Sequence, residues 1–155
     1  MHGPDRIARR ALAVLSALFV AAGCGGSGGD FKARYRGIYS EQRQLGLDLV
    51  SELRRAGSET DAQLAAHLQA FQPRLARLSS SLAGLGAPTS LRSDLDRLRN
   101  ALHSEASDLS ALIGGVRTHD ALRARSATVI LLDEAAGAKS AADRLRAAAG
   151  LPASP

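Results

Sequence analysis

The sequence predicts an all-α fold, an antiparallel up-down-up-down four-helix bundle. Three observations lead there. From Phe31 onward, apolar residues recur at steps of three and four, the spacing that lines one face of a helix. No stretch alternates apolar and polar residues with period two. Clusters of glycine and proline divide the chain into four stretches of about 25 to 32 residues, and short turns between such stretches make antiparallel neighbours. At 1.5 Å per residue the bundle would be about 40 Å long. A longer two-helix hairpin that pairs with a second chain is the other arrangement consistent with this pattern.

The first stretch covers residues 31 to 56. Its apolar stripe is Phe31, Tyr35, Ile38, Leu45, Leu49 and Leu53, interrupted by Gln42. Gly57 is its stop signal. Ser58 or Thr60 can cap the second stretch, with Glu59 and Asp61 at its positive dipole end. There the stripe is Leu64, Leu68, Phe71, Leu75, Leu78, Leu82 and Leu85, an unbroken heptad pattern. Pro73 lies inside it. Proline removes one helical hydrogen bond and crowds the preceding turn, so a kink near residues 69 to 73 is expected, with a break into two short helices as the alternative.

Gly84, Gly86 and Pro88 form a connector, and Thr89 or Ser90 is positioned to cap the third stretch. Leu91, Leu95, Leu98, Leu102, Leu109, Leu112 and Val116 form its stripe, and Glu105 occupies the vacant apolar position. Gly114 and Gly115 weaken or end that helix. The fourth stretch starts near Thr118 and Asp120 and stops at Gly150 and Pro152. Its stripe is small: Ala124, Thr128, Leu131, Ala135, Ala138, Ala142, Leu145 and Ala149. Such a face lets a neighbouring helix approach closely.

Composition narrows the function. The 155 residues are 45% hydrophobic and 23% charged, which fits a globular domain and excludes a collagen-like or fully disordered chain. The single cysteine, Cys24, excludes an internal disulfide framework and a cysteine-based zinc site. The formal charge is +5, but part of it lies in the first ten residues, at Arg6, Arg9 and Arg10. Without residues 1–23 the net charge falls to +3, a poor basis for nucleic-acid binding.

Those arginines precede an uncharged run over residues 11–22, then Gly23 and Cys24, which is the layout of an export signal. Twelve apolar residues span about 18 Å as a helix, short of a bilayer core of about 30 Å. The segment Val20-Ala21-Ala22-Gly23-Cys24 resembles the lipobox of bacterial lipoproteins, with Ala21 where that family more often has leucine. The resemblance covers the first 24 residues. It implies a diacylglyceryl group on the Cys24 sulfur, cleavage after Gly23 and a lipid anchor at the outer face of the cell membrane. The general make-up also resembles small helical lipoproteins of high-GC bacteria. The resulting organisation is a signal peptide over 1–23, a lipidated cysteine and flexible Gly-rich tether over 24–30, a helical bundle over 31–150 and a tail over 151–155. A coil of six Gly/Ser-type residues reaches roughly 12–15 Å, so the bundle would sit close to the lipid.

Chemical motifs are scarce. Gly23, Gly25 and Gly28 match G-x-G-x-x-G, but no strand precedes them. There is no Walker loop, no Ser-x-x-Lys and no Glu-x-x-His; His67, His103 and His119 read as surface residues. No catalytic residue, metal site or cofactor is expected. Glu105 is either a ligand or proton site inside the bundle or a polar residue that sets helix register, with Gln42 a possible partner. Phe31, Tyr35 and Tyr39 follow the tether at four-residue steps, interleaved with Lys32, Arg34 and Arg36. Lys32, Arg34, Arg36 and Tyr35 could touch lipid headgroups; alternatively the rings fill the first core layers and the cations are solvated. The function expected from all this is a non-enzymatic helical interaction or structural module of the cell envelope, its partner an envelope protein or lipid. The alternative is a protein that binds a lipid or small apolar ligand in the bundle interior. An enzyme using Glu105 is a third, weaker reading.

Overall fold

A computed structural model describes residues 26–152, and the expected signal peptide, the expected lipidation site at Cys24 and the last three residues lie outside the described part. The described residues form an all-α four-helix bundle. Helix α1 runs over Gly26–Arg55 and is followed by a 3-10 turn at Ala56–Ser58. The second rod is α2, Asp61–Gln69, continued by α3, Gln72–Ala83. A second 3-10 turn at Thr89–Leu91 leads into α4, Arg92–Arg117, and α5 is Ala121–Ala148. The rods form a ring: α1 packs on α3 and α5, and α4 packs on α2, α3 and α5.

The leucine stripes face inward. Phe31, Tyr35, Leu45 and Leu49 of α1 meet Leu68, Leu75, Leu78 and Leu82 of the second rod, Leu95, Leu98, Leu102 and Leu109 of α4, and Leu131 and Leu145 of α5. Every rod keeps the alternating four-three step, which predicts a left-handed supercoil.

Three expectations about where helices start or break need correction. First, Pro73 breaks the second rod rather than kinking it. Its ring would crowd the Gln69 carbonyl in a continuous helix, so α2 ends at Gln69 and Pro73 falls in the first turn of α3, where no N–H is needed. Tighter bonds from Ala70 N–H to the His67 carbonyl (3.1 Å) and from Phe71 N–H to the Leu68 carbonyl (3.1 Å) close the break. Second, α1 extends back to Gly26, into the segment expected to be a flexible tether. In a helix the carbonyls of residues 26–29 accept from the N–H groups of residues 30–33, and the buried rings of Phe31 and Tyr35 hold that turn in place. Third, Thr89 and Ser90 do not cap α4; they form the 3-10 turn, and Leu91 is the N-cap without a side-chain bond.

The caps of α2 and α5 act as expected. Thr60 and Gln63 form a reciprocal capping box at α2, and Asp120 caps α5 by accepting from the Arg123 N–H at 2.9 Å. Gly150, at φ 66°, ends α5 by a Schellman pattern: the Gly150 N–H donates to the Ala147 carbonyl (2.9 Å) and the Leu151 N–H to that of Arg146 (3.0 Å). Leu151, expected in the tail, is thereby drawn into the core. Helix α4 ends by the same pattern, with His119 in the left-handed position at φ 55°. The Asp120 N–H reaches the Gly115 carbonyl at 2.9 Å, and the His119 N–H reaches that of Val116 at 3.1 Å. Gly114 and Gly115 do not end α4. A Cβ on Gly115 would lie 2.8 Å from the Ala124 backbone nitrogen, so this glycine lets α5 fold back tightly on α4.

Candidate functional site

Helices α1 and α5 touch closely only in part, and a groove of about 700 Å³ opens between them. Its apolar walls come from Leu47 and Val50 on α1 and from Leu132, Ala135 and Ala136 on α5. Small residues on α5 and Gly46 on α1 leave this space, because no side chain of ordinary size fills it.

The groove has a polar floor. Glu105 reaches it from α4 and Gln42 from α1, at 3% and 8% exposure. The sequence offers these two as partners. The structure brings them to one cavity without a hydrogen bond between them, and the Gln42 Oε1 has no donor. Burial, reinforced by the Glu134 carboxylate on α5, pushes Glu105 up to about 7. Among the described residues no arginine charge lowers its pKa, and the helix has not rotated to replace it with Ala106, which packs beside it partly buried.

The charged groups at the rim are engaged with each other. Asp143 accepts from the Tyr39 hydroxyl at 2.6 Å and from the Lys139 Nζ at 2.7 Å. These two donors hold its carboxyl below the usual range. Arg146 lies over the Tyr39 ring at 5.8 Å and donates to the Leu151 carbonyl at 2.9 Å, while its Nε, 3.9 Å from Asp143, lacks a hydrogen-bond partner.

The N-terminal aromatic cluster is structural. Phe31 and Tyr35 stack with centroids 5.7 Å apart, and the buried Tyr35 hydroxyl donates to the Ala142 carbonyl at 3.0 Å. Desolvation raises the Tyr35 pKa well above its ordinary value. A ring buried against α5 cannot reach a lipid headgroup, so Tyr35 is withdrawn from that role. Lys32, Arg34 and Arg36 are exposed, and Arg34 donates to the Gly84 carbonyl at 3.2 Å.

One cluster around a buried carboxylate is missing from the sequence reading. Glu52, not Leu53, occupies the inward position at the end of α1. The four-three step from Leu45 and Leu49 does land on Glu52, so the signal existed; the leucine beside it masked the phase. The His67 Nδ1 lies 2.9 Å from Glu52 and 3.2 Å from Glu59. Bonding to Glu52, with the charge of Glu59, raises the His67 pKa. Burial pushes Glu52 up, but its bonds to Arg55 and His67 outweigh this and leave it below the ordinary value. Donor atoms of Glu52, Glu59 and His67 lie within 4.8 Å of one another, close enough to hold a metal ion. Their mutual bonds and Arg55 give each a partner as an ion-pair cluster that ties α2 to α1. His119, also read as a surface residue, is exposed and pairs with Asp61 at 2.5 Å.

The first half of α5 exposes several large apolar side chains. Leu122, Val129, Ile130 and Leu132 are 81%, 64%, 48% and 41% exposed. Among the described residues no helix is long and apolar enough to cross a membrane. Compared with known proteins, the chain matches no family model, no curated protein and no solved structure.

Proposed function

We propose that this chain is an exported, lipid-anchored protein that acts as a non-enzymatic helical interaction module of the cell envelope. The observation that carries the interaction reading is the exposed apolar face of α5. Large apolar side chains scattered singly need no explanation, but Leu122, Val129, Ile130 and Leu132 lie within three turns of one helix. Leu122, Val129 and Ala136 recur at seven-residue steps, the spacing of a pairing seam.

The charges beside that seam favour a second copy of the chain as the occupant. Arg125 and Asp133 stand four residues either side of Val129, and both are exposed. Two α5 helices packed antiparallel about Val129 would bring each Arg125 to the Asp133 of the other copy, a self-complementary arrangement. The anchor reading rests on the lipobox-like segment ending at Cys24. In that reading the end of the bundle carrying Lys32, Arg34 and Arg36 faces the lipid, where each cation near an anionic surface contributes on the order of 1 kcal/mol.

Sedimentation of the full chain over a range of concentrations tests the interaction reading. The wild type is expected to show a monomer–dimer equilibrium, and Val129→Glu is expected to be monomeric with an unchanged melting temperature. A wild type that stays monomeric into the high-micromolar range, or a Val129→Glu chain that dimerises as well as the wild type, overturns it.

A further inference from the structure

We infer that the groove between α1 and α5 is a binding site for an apolar molecule carrying an amine cation, its alkyl part along Leu47, Val50 and Leu132 and its ammonium on Glu105 and Gln42. Two independent observations support this. The space is there: about 700 Å³, within the range of small-molecule sites. The floor is also unsatisfied. Buried polar atoms are almost always hydrogen-bonded, yet the Gln42 Oε1 has no donor. Beside it, the Glu105 carboxyl is acted on by burial and the Glu134 charge, with no cation to offset them.

The chemistry of the occupant follows from what the floor lacks. Both deficient groups are acceptors, and an ammonium offers three donors and no acceptor. The carboxylate of a fatty acid would meet Glu105 with Glu134 behind it, and like charges in a dry site repel. An alcohol would supply one hydrogen bond and no charge. The other charged groups around the groove are Arg43 on α1 and Lys139, Asp143 and Arg146 on α5. Lys139 and Arg146 are both within ion-pair distance of Asp143, which moderates their repulsion of an entering cation.

Calorimetric titration of the full chain, kept soluble in a fluorinated surfactant at about pH 8, tests this with n-decylamine, n-decanol and decanoate. The amine is expected to bind one per chain, about tenfold or more tighter than the alcohol, since a charge-assisted bond is worth more than a neutral one. Decanoate is expected to bind weakest. Glu105→Gln should bring the amine down to the level of the alcohol. Gly46→Leu is the second variant. A Cβ there meets nothing within 4 Å, so the added side chain fills the groove, and it should abolish binding while raising the melting temperature. Decanoate binding as tightly as the amine, an unchanged amine affinity in Glu105→Gln or in Gly46→Leu, or no binding by any probe would each overturn the assignment.

Discussion

At the scale of single residues, the buried carboxylate of Glu105 is the most consequential feature. Its pKa is raised to about 7 by burial and by Glu134, so between about pH 4.5 and 7 the folded chain holds a proton that the unfolded chain has released. Stability from this group is therefore complete at acid pH and is lost as pH rises through 7. Replacing it with glutamine removes the ionisation while keeping shape and hydrogen-bonding capacity. Glu105→Gln is expected to stabilise the chain by on the order of 2–3 kcal/mol at about pH 8 and to change little near pH 4, measured by urea unfolding at the two pH values. Equal effects at both pH values would mean that the carboxyl is not held up by burial. A charge at a core position was legible because it interrupts a leucine stripe. Gln42 was legible as a candidate partner, but Glu134 was not, since it lies on another helix and helical spacing does not bring it to Glu105.

Among elements, the α4–α5 hairpin has the most extensive contact in the bundle. Two adjacent glycines at its turn look equivalent in sequence and differ in space. A Cβ on Gly114 meets the Arg123 guanidinium at an ordinary 3.6 Å, whereas one on Gly115 lies 2.8 Å from the Ala124 backbone. Gly114→Ala is therefore expected to gain about 0.5–1 kcal/mol from helix propensity. Gly115→Ala is expected to lose about 1–3 kcal/mol, because backbone cannot yield as a side chain can. Thermal melts of the two variants check this, and loss of similar size in both would contradict the packing argument. The broken second rod has a comparable lesson. Its leucine stripe runs unbroken through Phe71, and hydrophobic period alone suggested one continuous helix. The missing N–H and bulky ring of Pro73 decide the break, and the apolar pattern survives it because two 3-10-type bonds preserve its phase.

For the molecule as a whole, the start of α1 sets the distance between the bundle and Cys24. The helix begins at Gly26, two residues after Cys24, so an acyl group on that cysteine would hold the bundle close against the lipid. Two acyl chains suffice for stable anchoring, at about 0.8 kcal/mol per buried CH₂. Cys24→Ala is expected to move the chain from the detergent phase to the aqueous phase and to remove a diacylglyceryl increment from its intact mass, when both forms are produced in a bacterial host that lipidates proteins. A wild type that is already aqueous and starts at another residue would reject the anchor.

The all-α class, the four rods and nearly every core leucine follow from the sequence, because a three-four spacing needs only the local geometry of a helix to place residues on one face. Helix ends at Thr60, Asp120 and Gly150 are equally local, each set by one side chain or one φ angle. The groove, the unpaired floor of Gln42 and Glu105, the Glu52–His67 pairing and the contact that requires Gly115 were decided only when the helices packed. Each depends on the distance between residues far apart in the chain, and helical periodicity carries no information about that distance.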